Sequence, residues 1–112
     1  MITDAARQDM ATYLKTTYTK ARVGVGGNNS SPISTNLDVP IFDVSTIISS
    51  KSDENVVDFK FTVAGGSIAG YTIRELGIFN ADFSKMLTRI NFEGVGPFST
   101  ENVDFFITLE VE

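Results

Sequence analysis

From residue 40 onward the chain is a series of short alternating apolar segments, and their connections are too short to hold a crossover helix. Parallel neighbours need a dozen or more connecting residues, so the sheet is expected to be mostly antiparallel. Val57, Phe59, Phe61 and Val63 alternate with Asp58, Lys60 and Thr62. Val103, Phe105, Ile107, Leu109 and Val111 alternate with Asp104, Thr108, Glu110 and Glu112, with Phe106 the one apolar residue on the outward side. The spacing predicts strands over 55–63, 86–92 and 102–112, and a strand over 40–50 with Phe42, Val44, Thr46 and Ile48 on one face. Ala21–Val25 predicts a further short strand. Ser49–Glu54 and Ala81–Lys85 are expected as turns, Gly94–Phe98 as a loop, and Ala64–Gly70 as a flexible stretch.

Upstream of this, Thr3 is a good N-cap, and Asp4 suits the positive end of a helix dipole. Ile2, Ala6, Met10 and Leu14 follow at steps of four with Tyr13 beside them, which predicts an amphipathic helix of about four turns. Thr16-Thr17-Tyr18-Thr19 has poor helix propensity and ends it. A chain of 112 residues buries roughly two-thirds of its unfolded surface, enough for one modest core. The expected fold is mainly β with one N-terminal helix: a small antiparallel β-sandwich or curled sheet, single domain over 1–112. The helix and its exit take 1–19 and the β-rich body 20–112.

Tyr71–Asn80 is the most distinctive strand. Ile73, Leu76, Ile78 and Phe79 are apolar on both faces, yet Arg74 and Glu75 sit among them. A charge there is costly unless paired or hydrogen-bonded. Arg74, Arg22, Arg89 and the backbone amides of the 26–36 loop are the candidate partners for Glu75. Glu75 is also the only carboxylate inside a strongly apolar run, where a catalytic role is conceivable. A structural pairing outweighs it.

The composition removes most chemistry. There is no cysteine and no histidine, hence no disulfide, no thiol nucleophile and no ordinary zinc ligand set. Val23-Gly24-Val25-Gly26-Gly27-Asn28-Asn29 lacks the third glycine of a dinucleotide fingerprint and leads into Ser-Ser-Pro-Ile rather than a helix. No acidic spacing matches a calcium loop. The expectation is no enzyme, no cofactor and no metal. A net charge of −5 disfavours nucleic acid as a partner. No apolar run approaches a membrane span, and the opening residues lack a signal-peptide pattern, so no membrane is expected.

Two features point to protein partners. Residues 1–35 hold Arg7, Lys15, Lys20 and Arg22 against Asp4 and Asp9, while residues 90–112 hold five carboxylates and no basic residue. Such ends are either solvated faces or the two sides of a head-to-tail contact. Phe83, Phe98 and Phe106 fall off the inward pattern, as surface or loop anchors or as interface residues. The loops 26–36 and 64–70, rich in Gly, Ser and Asn, are expected to face a partner. The structural or interface candidates are Arg74, Glu75, Gly77, Phe83, Phe98, Phe106, Asn28 and Asn29.

Four stretches in order also form a known pattern. They are Ile2-Thr3-Asp4-Ala5-Ala6-Arg7 before the helix, Val23–Asn28 with Ser31-Pro32 and Thr35-Asn36-Leu37, Asp58–Val63 before a glycine-rich gap, and Tyr71–Asp82. With the final Phe105-Ile107-Leu109-Val111 strand, they resemble the N-terminal region of bacteriophage tail fibre proteins of the tail-collar type and related short phage tail or baseplate structural proteins. The resemblance implies a virion structural protein in the phage tail, made in the host cytoplasm. It would act by self-assembly, as a homo-oligomer and often a trimer, and by contact with other phage tail or baseplate proteins. No shaft or receptor-binding segment follows Glu112, which leaves an attachment or connector role as the expectation. A carbohydrate- or surface-binding β-sandwich is the alternative, and an enzyme accessory domain a third.

Overall fold

A computed structural model describes residues 2–26, 36–44, 47–53, 55–97, 99 and 101–111. It is mainly β, with one helix and two antiparallel sheets. Helix α1 (Asp4–Thr17) is capped by Thr3, whose hydroxyl accepts the Ala6 N–H. The strands are β1 (Lys20–Gly24), β2 (Pro40–Val44), β3 (Ile48–Asp53), β4 (Val56–Val63), β5 (Ile73–Phe79), β6 (Met86–Val95) and β7 (Val103–Glu110). One sheet has the order β2-β1-β5-β6 and the other β3-β4-β7.

The two sheets share one core, as a β-sandwich does. Ala21, Val23, Val44, Leu76 and Ile78 supply it from the first sheet, and Val57, Phe59, Phe61, Val63 and Ile107 from the second. The alternation of β4 is carried out without exception: all four of its inward residues are buried. Phe61 stacks on its cross-strand partner Phe105, with ring centroids 5.2 Å apart.

Several expectations are corrected. The single strand over 40–50 is two strands, and the residues expected as a turn at 49–54 largely belong to the second. β2 pairs with β1 and β3 pairs with β4, so the chain changes sheets between them. The inward parity changes as well: Phe42 and Val44 pack inward from β2, whereas Ile48, expected on the same face, is exposed and Ile47 packs against the core, with Thr46 outside the described residues. β6 runs through Gly94 and Val95 instead of ending at Phe92. The stretch 64–70 is ordered: it holds a 3-10 turn at Gly65–Ser67 and the fully buried Ile68.

The helix follows its apolar stripe only in part: Leu14 packs against the core, but other members do not. Met10 and Tyr13 remain 43% and 59% exposed, and the buried contact is Ala11. A small residue there lets the helix lie close to β3 and β4, with the Ser49 hydroxyl donating to the Lys15 carbonyl.

Candidate functional site

β5 is buried on both faces, by a different layer on each. Leu76 and Ile78 lie beside Val23 and Ala21 and face the second sheet. Glu75, Gly77 and Phe79 lie on the opposite face and are buried too. The segment Asn36–Val39 lies over Glu75 and Gly77, while Phe83 and the Arg22 guanidinium pack against Phe79.

Glu75 anchors this strap. Its side chain is fully buried and accepts three backbone N–H groups, from Gly26, Asp38 and Val39, each at 2.8 Å. A carboxylate is an acceptor-only group and suits a cluster of amides better than a cation would. Arg74 is not its partner. The strand pairing is irregular between Ile73 and Glu75, and there Arg74 lies exposed, with its guanidinium donating to the Glu93 carbonyl at 2.7 Å. Arg22 and Arg89 hold the strap instead. Arg22 donates to the Asn36 side-chain oxygen at 2.8 Å and pairs with Asp43. Arg89, 5% exposed, reaches the Asn36 carbonyl at 3.2 Å and Asp38 at 3.7 Å.

Three glycines clear the space. A Cβ on Gly24 would meet the Val39 carbonyl oxygen at 2.5 Å and Glu75 Oε2 at 2.7 Å. One on Gly26 would meet Asp38 Cβ at 2.5 Å, and one on Gly77 would crowd Phe79 and Leu37. The glycine-x-glycine of β1 thus has a steric purpose unrelated to phosphate binding. Its signal in the sequence was its spacing, but the group it accommodates lies 49 residues away.

Phe83 belongs to the same region. Its ring packs against Phe79 at 5.5 Å, and the Arg22 guanidinium lies 4.5 Å above it. Phe83 is held at φ 59°, a left-handed conformation uncommon for a bulky residue. The surrounding turn enforces it: Lys85 N–H donates to Asn80 Oδ1, Asn80 Nδ2 to the Ser84 hydroxyl, and Ser84 N–H to Asp82 Oδ1. The structure makes Phe83 a loop anchor. Asn28, Asn29 and Phe98 lie outside the described residues.

The Ser84 side chain, and then its N–H, hold the exposed Asp82 carboxyl below its ordinary range. A depressed folded-state pKa adds stability that is present above the unfolded-state value and lost as pH falls through the folded value. The 80–85 turn is therefore expected to loosen at acid pH. In an NMR titration the Asp82 midpoint should lie below that of a free aspartate, and Ser84→Ala should return it toward that value.

Elsewhere the described surface is notable for exposed apolar groups. On the outer face of the second sheet, Ile48, Lys60 and Phe106 stand in one cross-strand row, with Ile48 65% and Phe106 72% exposed. Lys60 Nζ lies 5.4 Å from the Phe106 ring. A shallow depression of about 310 Å3 beside them is lined also by Ser50, Asp58 and Thr108. A second apolar patch joins Met10, Tyr13 and Leu14 of the helix to Val111. Over β1 and β2 an open depression of about 590 Å3 is lined by Arg22, Asn36 and Asp43, which already bond one another.

Among the described residues, no three acidic groups gather as a metal site would require. Both oxygens of Glu75 are occupied by backbone amides, which leaves it a positioning group. It fixes Gly26 on one side and Asp38 and Val39 on the other, the two ends of the stretch that includes Asn28 and Asn29. No protein-family model matches this chain, and no curated protein matches it.

Proposed function

We propose that this chain is a virion structural protein, a bacteriophage tail-fibre or baseplate-associated connector that works by self-assembly and protein contact. The observation that carries this reading is the distribution of its apolar surface. Phe106 and Ile48 stand out on the outer face of the second sheet, and Tyr13 and Met10 on the helix. Contiguous exposed apolar groups mark interaction surfaces more often than small-molecule sites, which are concave. The strand that resembles the phage family, Tyr71–Asp82, supports the same reading. Its buried carboxylate serves to hold a loop base in place, a role suited to a fixed contact surface.

Mass spectrometry of purified phage particles tests it. Peptides of this chain are expected in the tail fraction at a fixed ratio to other tail proteins. Their absence from particles grown where the chain is expressed would contradict it. A second reading has one observation in its favour: the exposed Phe106 stands beside Ser50, Asp58, Lys60 and Thr108, an arrangement on which a sugar ring could stack. Saturable binding on a glycan array, lost in Phe106→Ala, would favour that carbohydrate-binding module.

A further inference from the structure

We propose that β7 pairs with β7 of a second copy, antiparallel about a two-fold axis at Phe106, so that two three-stranded sheets become one of six strands. The inference rests on the geometry of the sheet edge and not on a role in a virion.

Sheet edges are ordinarily guarded by charged side chains, lysine above all, by proline, short length, a bulge or a covering segment, and the only charges on β7 are Asp104 and Glu110 near its two ends. Three of the four edge strands here follow that rule. β2 opens on Pro40 and slips in register against β1. β3 slips against β4, and β6 slips twice against β5, with Gly94 at φ 132°. β7 is different. It pairs with β4 through eight consecutive residues without a slip, and holds no lysine, arginine, proline or glycine. Among the described residues its other side meets no strand.

The direction of its hydrogen bonds is fixed. Val111 N–H donates to the Asn55 carbonyl at 2.8 Å, in register with the ladder. The odd-numbered residues of β7 therefore bond β4, and Asp104, Phe106, Thr108 and Glu110 direct N–H and C=O away from it. The inner face is also incompletely covered on this side. Ile107 is buried, but Val103, Phe105 and Leu109 are only half-buried.

Charge selects the register. An axis at Ile107 would set Asp104 opposite Glu110 twice, and like charges directly opposite destabilise a sheet. With the axis at Phe106, Asp104 faces Thr108, Glu110 faces Asn102, and the two Phe106 rings face each other. On the inner face Phe105 then meets Ile107, and Val103 meets Leu109. Every outward N–H and C=O from Asp104 to Thr108 finds a partner. Axes nearer either end pair fewer strand residues. The contact makes pairs, so the trimer implied by the resemblance would need a separate head-to-tail surface.

The chain has no cysteine, so a single Phe106→Cys reports on the axis directly. Opposed residues of a hydrogen-bonded pair have Cα atoms about 5.5 Å apart, within the disulfide range. The two Glu110 positions would be about 27 Å apart, at 3.4 Å per residue. Under mild oxidation Phe106→Cys should become a covalent dimer, and Glu110→Cys should not. Sedimentation equilibrium should show Phe106→Asp, which sets two carboxylates opposite each other across the axis while each keeps Lys60 of its own chain beside it, weakening dimerisation at least tenfold. Folded Phe106→Cys protein that stays unlinked would overturn the proposal, as would equal linking at both positions. So would Phe106→Asp protein that associates like the wild type, a result independent of whether the cysteine variant folds.

Discussion

Glu75→Ala is expected to lower the stability of the fold by roughly 3–5 kcal/mol, the cost of removing one side of a buried polar network. Three N–H groups, of Gly26, Asp38 and Val39, lose their acceptor together. The alanine cannot replace it, and the strap that reaches over Gly77 through Leu37 loses its anchor. For a domain of this size the loss corresponds to a fall in Tm of about 10–25 °C. Glu75→Gln keeps an acceptor oxygen but places an NH2 where amide donors converge, so it should lie between the two. Thermal unfolding followed by circular dichroism checks this. A Glu75→Ala protein that melts with the wild type would show that the strap does not depend on Glu75.

Gly65→Ala should be comparably damaging, by overpacking of about 3 kcal/mol. A Cβ there would lie 1.9 Å from the Glu101 carbonyl oxygen, a backbone atom that cannot turn aside. Its neighbour is the control. A Cβ on Gly66 meets nothing within 4 Å, so Gly66→Ala should change stability by less than about 0.5 kcal/mol. Urea unfolding of the two variants measures the contrast, and equal midpoints would contradict the close approach of the 64–70 turn to the chain before β7.

Much of the fold was legible in the sequence because side-chain alternation is a direct imprint of burial. β4 and β7 were readable residue by residue, and Thr3 and Asp4 marked the start of the helix. The errors have physical causes. Ile47 and Ile48 are adjacent and both apolar, so the sequence did not show that the inward position shifts to Ile47 after the change of sheet, and β2 and β3 looked like one. The apolar stripe of α1 gave no warning that Ala11 would be its contact, because a small residue that permits close approach has little hydrophobic signal. The glycine-rich stretch 64–70 looked flexible because composition does not register that Gly65 lies too close to the Glu101 backbone for any side chain.

The candidate site was legible in part. The apolar neighbours of Glu75 announced a buried carboxylate that needed partners, and backbone amides were among those considered. That Asp38 and Val39 supply two of the three was not readable, since a backbone donor has no residue signature. Gly24, Gly26 and Gly77 were visible as glycines, but their purpose depends on a strap packed over them. Arg74 was misleading because the pairing irregularity between Ile73 and Glu75, which leaves it exposed, has no signature in the residue pattern. Phe106 was recognised as the outward exception of β7. Its row with Lys60 and Ile48 depends on registers that only the structure supplies.

Self-association is the property on which the functional reading turns. Sedimentation equilibrium of the unmodified chain, over a wide range of concentration, measures it most directly. Assembly predicts a weight-average mass that rises above the 12.2 kDa of one chain as concentration increases. A mass that stays at 12.2 kDa at every concentration would contradict it.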